Sequence, residues 1–201
     1  NNTAIGVCSN SSASATGAIN NNTTIGYKSA IGLNAGLSNV AIGANSAKNL
    51  TAGDGNIIIG SEDNTSAYAP VFDVTTESNR ISMGHTAISN AYIQVAWTVV
   101  SDARDKIVEG PVPYGLEFVA QLNPVAFHFK ETRDSDTPHG PKRYGFLAQD
   151  ILNLEGTDPV IIDADDSEKL RYNGEALVPV LVKAIQELKA EVDALKAKVN
   201  G

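Results

Sequence analysis

Four times in its first sixty residues the chain places a short β-compatible run, ending in isoleucine, directly before a glycine. The copies are Asn2-Thr3-Ala4-Ile5-Gly6, Asn22-Thr23-Thr24-Ile25-Gly26, Asn39-Val40-Ala41-Ile42-Gly43 and Asn56-Ile57-Ile58-Ile59-Gly60; a shorter Ser29-Ala30-Ile31-Gly32 lies between the second and third. Each unit has essentially one large apolar residue, so no copy can build a core alone. Stacked copies would align the isoleucines in one column and share asparagine and backbone hydrogen bonds between layers. Each glycine permits a sharp corner or a close backbone approach. Low-complexity disorder is open to any Asn/Ser/Gly-biased segment, but the regular placement of Ile before Gly favours a β-solenoid or prism. Such a thin strip is poorly covered unless several chains wind around one axis, and a homotrimer is therefore expected.

Composition changes near residue 100. All but three of the 15 basic residues, all but five of the 23 acidic residues and all but one of the eight prolines lie downstream. Two parts of different construction are expected, with the seam at Ser101-Asp102-Ala103-Arg104-Asp105-Lys106. The divisions are 1–67 for the repeat shaft, 68–100 for a β-rich tip, 101–174 for an α+β domain and 175–201 for a C-terminal helix. The net charge of −8 argues against a nucleic-acid surface, and no apolar run approaches the ~20 residues of a membrane span. A single cysteine, Cys8, excludes an intrachain disulfide. Asn1 is not a natural start, so the chain is expected to be a fragment of a longer protein. Three scattered histidines without a cysteine partner give no metal pattern, and no cofactor is implied.

Between residues 68 and 100, Val71–Val74, Arg80–Met83 and Ala91–Trp97 read as strands. In the last, Ile93, Val95 and Trp97 alternate with Tyr92, Gln94 and Ala96 and give one apolar face, expected to point at the trimer axis. Trp97 is read as core packing, with a sugar-stacking platform as the alternative. Beyond the seam, Gly115–Leu122 fits a short amphipathic helix stopped by Asn123-Pro124, and Val125–Lys130 a half-buried strand. Glu131–Pro141 reads as a loop, Tyr144–Ile151 as a strand entering a helical turn, and Val160–Ile162 and Leu170–Tyr172 as strands around an acidic turn. His128 is read as a strand residue, and His85 and His139 as loop residues.

The clearest periodicity is C-terminal. Val178, Leu181, Ile185, Leu188, Val192, Leu195 and Val199 follow one another at alternating spacings of three and four. That is a heptad seam, and it predicts a helix over Glu175–Asn200 with Pro179 inside its first turn. A coiled coil is favoured over a helix packed only on its own domain.

The second half resembles the intramolecular chaperone domain of phage tail spikes and fibres, the self-cleaving S74 peptidases, with related domains in endosialidase tail spikes, phage neck appendages and the myelin regulatory factor. The resemblance is carried by Ser101-Asp102-Ala103-Arg104-Asp105-Lys106, Leu122-Asn123-Pro124-Val125, Tyr144-Gly145-Phe146-Leu147-Ala148-Gln149-Asp150 and Ala184-Ile185-Gln186-Glu187-Leu188. The Asn-Thr-Ala-Ile-Gly repeats likewise resemble phage tail-fibre shafts and the heads of trimeric autotransporter adhesins. The resemblance implies a β-shaft with a C-terminal chaperone that trimerises it and then cuts itself away. Ser101 would be the nucleophile and Lys106 its base, with Val100–Ser101 as the favoured scissile bond and Ser101–Asp102 available if the serine serves a neighbouring chain.

A free lysine, with a pKa near 10.4, is a poor base at neutral pH. Burial among Val99, Val100, Ile107 and Val108, together with Arg104, could lower it, whereas Asp102 and Asp105 oppose this unless Arg104 ties them up or they point outward. Burial of Lys106 is expected on oligomerisation, which would couple cutting to assembly. At a separation of five residues the pair cannot share a helix face, so the segment must be a turn or the pair must form across chains. Gln149 and Asp150 are candidate supporting residues, with helix capping the alternative for Asp150. The expected partners are two further copies of the chain and a host-cell surface receptor, glycan included; nucleic acid and membrane insertion are not expected. The expected location is the virion after maturation and the host cytoplasm during assembly. The competing reading is an uncut adhesin tip with a permanent trimerisation cap.

Overall fold

A computed structural model describes residues 1–11 and 16–200. The chain divides into two compact units, residues 1–92 with 131–139, and residues 93–130 with 140–200.

The first unit is a parallel β-stack. Its main sheet orders β1 (Thr3–Ile5), β3 (Thr23–Ile25), β5 (Val40–Ile42), β6 (Ile57–Ile59) and β7 (Ile81–Met83), each parallel to the next. A second face pairs β2 (Ile19–Asn20) with β4 (Gly36–Leu37) and continues through an Ala35–Ala52 bridge. The four Ile-Gly copies are thus four rungs in register, with Ile5, Ile25, Ile42 and Ile59 in one column that ends at Met83. The short copy Ile31-Gly32 is not a rung; it lies in the turn that follows Gly26. Conversely, Arg80-Ile81-Ser82-Met83-Gly84 is a fifth rung, so the sheet continues past residue 67.

Alternation along each three-residue strand decides what is inside. The central column, Thr24, Ala41, Ile58 and Ser82, points inward and is buried. Around it pack Ala30, Leu33, Ala47, Leu50 and Val74. The flanking columns point outward, leaving Ile5, Ile25, Ile42, Ile57, Ile81 and Met83 exposed on one apolar face.

An asparagine ladder holds the rungs together. Asn22, Asn39 and Asn56 are buried, and each donates its backbone N–H to the asparagine side chain of the preceding rung: Asn2 Oδ1 accepts from Asn22 N at 3.0 Å, Asn22 Oδ1 from Asn39 N at 2.8 Å, Asn39 Oδ1 from Asn56 N at 2.9 Å. Asn56 Oδ1 then accepts from Arg80 N at 2.9 Å. Rungs of 17 to 24 residues are tolerated because only the turns between fixed points vary. At the corner Gly26 has φ +134°, and a Cβ there would lie 2.5 Å from the Gly43 carbonyl oxygen, so the close stacking of rungs demands glycine.

The second unit carries α1 (Leu116–Gln121), β8 (Val125–Lys130), most of β9 (Pro138–Gly145), α2 (Ala148–Glu155), β10 (Ile162–Asp163), β11 (Arg171–Tyr172) and α3 (Gly174–Asn200). β8 pairs with β9, and β10 runs antiparallel to β11. Its core joins Phe118, Ile151, Ile161, Ile162, Leu177 and Val180. Glu155 is buried at the end of α2, where its carboxylate accepts the N–H groups of Val160, Ile161 and Ile162 at 2.8–3.0 Å. No helix is long and apolar enough to cross a membrane among the described residues.

Several expectations need correction. Val71–Val74 and Ala91–Trp97 are irregular segments and not strands. β9 begins at Pro138, inside the segment read as a loop, and so takes in His139. Pro179 is the sixth residue of α3, beyond the first turn, so it removes an intrahelical bond to Glu175. Asp150 lies within the first turn of α2, where its charge suits the helix dipole, while the cap position is held by Leu147.

Candidate active site

The seam folds as a single 3-10 turn, Ala103–Asp105, between two extended residues. Asp102 is its N-cap, with φ −66° and ψ 133°, and its Oδ1 accepts the Arg104 N–H at 2.9 Å. Aspartate is favoured here because its short side chain reaches back to an otherwise unbonded N–H. The same carboxylate receives the Arg104 guanidinium, with Nε at 3.1 Å and Nη2 at 2.6 Å from its oxygens. The side-chain bonds from Arg104, followed by its backbone N–H, hold the Asp102 carboxyl below the usual carboxylate range. Asp102 is therefore occupied by Arg104, one of the two arrangements the sequence allowed.

The turn reverses the chain over a short span and brings the side chains at its two ends together. Lys106 Nζ donates to Ser101 Oγ at 2.5 Å. A five-residue separation that no α-helix could bridge is thus closed within one chain by the 3-10 geometry. Lysine and serine so joined can exchange a proton, and the serine oxygen can act as a nucleophile when the amine is neutral.

The surroundings differ from what the chemistry needs. Val99, Val100, Ile107 and Val108 are 64%, 82%, 94% and 84% exposed, so one chain alone provides no apolar cover over Lys106. Asp105 and Arg104 are exposed as well. Gln149 lies in the first turn of α2, and no hydrogen bond joins it to Ser101 or Lys106 among the described residues. The seven heptad residues share one exposed stripe of α3 from Val178 to Val199. The described residues hold no cluster of three or more metal-ligating side chains.

Residues 101–155 match the family model of the chaperone of endosialidase, peptidase S74. The match opens on Ser101, includes Asp102, Arg104, Lys106 and Gln149, and closes on Glu155, so it takes in the 3-10 turn, α1, the β8–β9 pair and α2. The shaft and α3 lie outside it. No curated protein and no solved structure gives a significant match.

Some structurally important residues gave no signal in the sequence. Glu155 bonds backbone groups five to seven residues away, and Lys183 and Glu187 look like ordinary charges on a solvated helix until their partners 70 residues upstream are seen. Gly115 could have drawn attention, since a glycine opening a helix marks a close approach; a Cβ there would collide with the Glu187 carboxylate.

Proposed function

We propose that the chain is the C-terminal part of a trimeric phage tail fibre whose second half is an intramolecular chaperone that assembles the shaft and then cuts itself off. The observation that carries this reading is the Lys106–Ser101 hydrogen bond at the residue where the peptidase-family match begins. Two exposed apolar faces support assembly: the outward isoleucine columns of the shaft and the heptad stripe of α3. Each is of the kind that three copies would bury around a common axis. The partners are two further copies of the chain and, for the mature fibre, a host-cell surface receptor. The fibre would mature in the host cytoplasm and reside in the virion.

Lys106, once neutral, takes the Ser101 hydroxyl proton. Ser101 Oγ attacks the Val100 carbonyl carbon through a five-membered ring, the C–N bond breaks, and the leaving nitrogen takes up the proton as the new amine of Ser101. Water then hydrolyses the resulting ester, leaving a carboxylate on Val100 and restoring the hydroxyl. Attack by Ser101 on its own following carbonyl would close a strained four-membered ring, so cutting after Ser101 requires a serine from another chain. Exposure of the flanking valines and isoleucine in one chain fits a site completed only when neighbours cover it, since a lysine serves as a base where apolar cover disfavours its ammonium. Loss of the chaperone would leave the shaft kinetically trapped.

Expression of Ser101→Ala and Lys106→Ala tests the reading. Each should remain trimeric and whole while the unaltered chain is cut. A Lys106→Ala protein cut at the normal rate assigns the base elsewhere. An unaltered chain that forms trimers and stays whole supports the uncut adhesin tip instead.

A further inference from the structure

α3 carries two stripes side by side. The heptad stripe is exposed; the other lies one residue earlier at each step, with Leu177, Val180 and Ala184 buried. Glu187 continues that inner stripe at the same three-four spacing, where an apolar residue would be expected. It has specific partners. Its Oε2 accepts the Leu116 N–H at 2.6 Å, and its Oε1 lies 3.7 Å from the Lys183 ammonium. Lys183 donates to the Val112 carbonyl oxygen at 2.8 Å and reaches that of Pro113 at 3.4 Å. Two side chains one helical turn apart therefore grip three backbone groups of residues 112–116.

Between Lys106 and Val112 the chain is irregular and exposed through Pro111. Val112 is the first residue after the 3-10 turn that packs against the core of the second unit. Six residues of extended chain reach about 20 Å. The grip thus limits how far the Ser101–Lys106 pair can stray from the helix that carries the heptad stripe.

We propose that Lys183 and Glu187 are positioning residues for the cleavage described above: a clasp that tethers the serine–lysine turn beside the seam of α3, so that assembly through α3 delivers the pair to its covered, active arrangement. This rests on the cleavage reading. Opening the clasp moves the next fixed point to Tyr114, eight residues from Lys106, which donates to the Glu155 carbonyl oxygen at 3.1 Å and stacks on Phe118. Lengthening a flexible tether by a third lowers effective concentration by about 1.5-fold, through its −3/2 power dependence on length.

The test is the first-order rate of self-cleavage in purified trimers of the full chain, followed across pH. The double variant Lys183→Met/Glu187→Ala should cut about 1.5-fold more slowly at its plateau, with the midpoint of the pH profile unchanged because Lys106 itself is untouched. Lys183→Arg alone, which can still donate to the two carbonyls and face Glu187, should keep the rate of the unaltered chain. Gly115→Ala opens the clasp from the other side, by displacing the Glu187 carboxylate, and should slow cutting where the double variant does not assemble. Normal rates in trimers of both clasp-opening variants overturn the clasp alone, provided the unaltered chain is cut and Ser101→Ala is not. An unaltered chain that stays whole removes the cleavage reading and the clasp's role with it.

Discussion

Asn39 is the rung-to-rung fastener on which the shaft should depend most. Its Oδ1 accepts from the backbone N–H and the side-chain amide of Asn56, at 2.9 and 3.1 Å, and its Nδ2 donates to Asn22 Oδ1 at 3.1 Å and Gly53 O at 2.7 Å. Asn39→Ala would remove all of these. Asn22 Oδ1 keeps the Asn39 backbone N–H, and Asn56 Nδ2 keeps Glu77 O, so the groups left in need are the Asn56 N–H and the Gly53 carbonyl. Both belong to buried residues. At about 1–3 kcal/mol for each unsatisfied buried group, the loss is about 2–6 kcal/mol. For a unit of roughly 100 residues that lowers the melting temperature by at least about 8 °C. Asn2→Ala is the control: Asn2 is exposed on the first rung, water can replace its bonds, and its cost should stay near 1 kcal/mol. Asn39→Asp preserves the acceptor but turns the donor into an oxygen facing two other oxygens, so it should be no milder than alanine at neutral pH. The assay is thermal unfolding of the full chain by far-UV circular dichroism at a fixed scan rate. Equal melting shifts for Asn39→Ala and Asn2→Ala would refute the stacked-rung reasoning.

On the proposed trimeric assembly, Ile185→Asp together with Leu188→Asp should abolish association and with it soluble shaft, because two charges would enter the exposed heptad stripe of α3; light scattering that still reports a trimer contradicts this. Glu155→Ala strips a buried acceptor from the N–H groups of Val160, Ile161 and Ile162 and should destabilise the second unit by about 3 kcal/mol or more, read by chemical denaturation, whereas a loss under about 1 kcal/mol would mean the loop rearranges. Tyr68 is held protonated above its ordinary range, first by burial and then by its hydrogen bond to Asp73. A raised folded pKa contributes stability that is intact below the unfolded value near 10 and lost as pH rises beyond it. The shaft should therefore melt progressively earlier above about pH 10, and Tyr68→Phe should flatten that fall; an unchanged slope in the variant would contradict the assignment.

Much of the shaft was legible because its signal is local and repeated. Isoleucine before glycine and asparagine at the head of each unit gave the rungs, their register and the shared asparagine bonds. What single units could not tell is which face turns in. The isoleucine column lies outside, since a three-residue strand sends its middle side chain opposite to its ends, and the interior is filled by the middle residues Ala41 and Ile58 with Ala30, Leu33, Ala47 and Leu50 from the turns. The fifth rung was read as a strand but not as a rung, because Arg80 replaces asparagine and Met83 replaces isoleucine; the ladder survives since Asn56 needs only a backbone N–H beyond it. Ala91–Trp97 shows the opposite failure: alternation implies a strand, but a strand needs a neighbour, and none pairs with it among the described residues. At the seam, the need for a turn followed from a five-residue spacing, and Asp102 as its cap is the residue type that makes one. The clasp was not legible, because Lys183 and Glu187 owe their role to backbone atoms 70 residues away.

The most direct measurement is the intact mass of freshly expressed protein under denaturing conditions, followed by N-terminal sequencing of any released C-terminal piece. Two pieces are expected, residues 1–100 and 101–201, with Ser101 first in the second and no cutting in Ser101→Ala. A trimeric protein whose chains remain whole, or pieces that persist in Ser101→Ala, would contradict it.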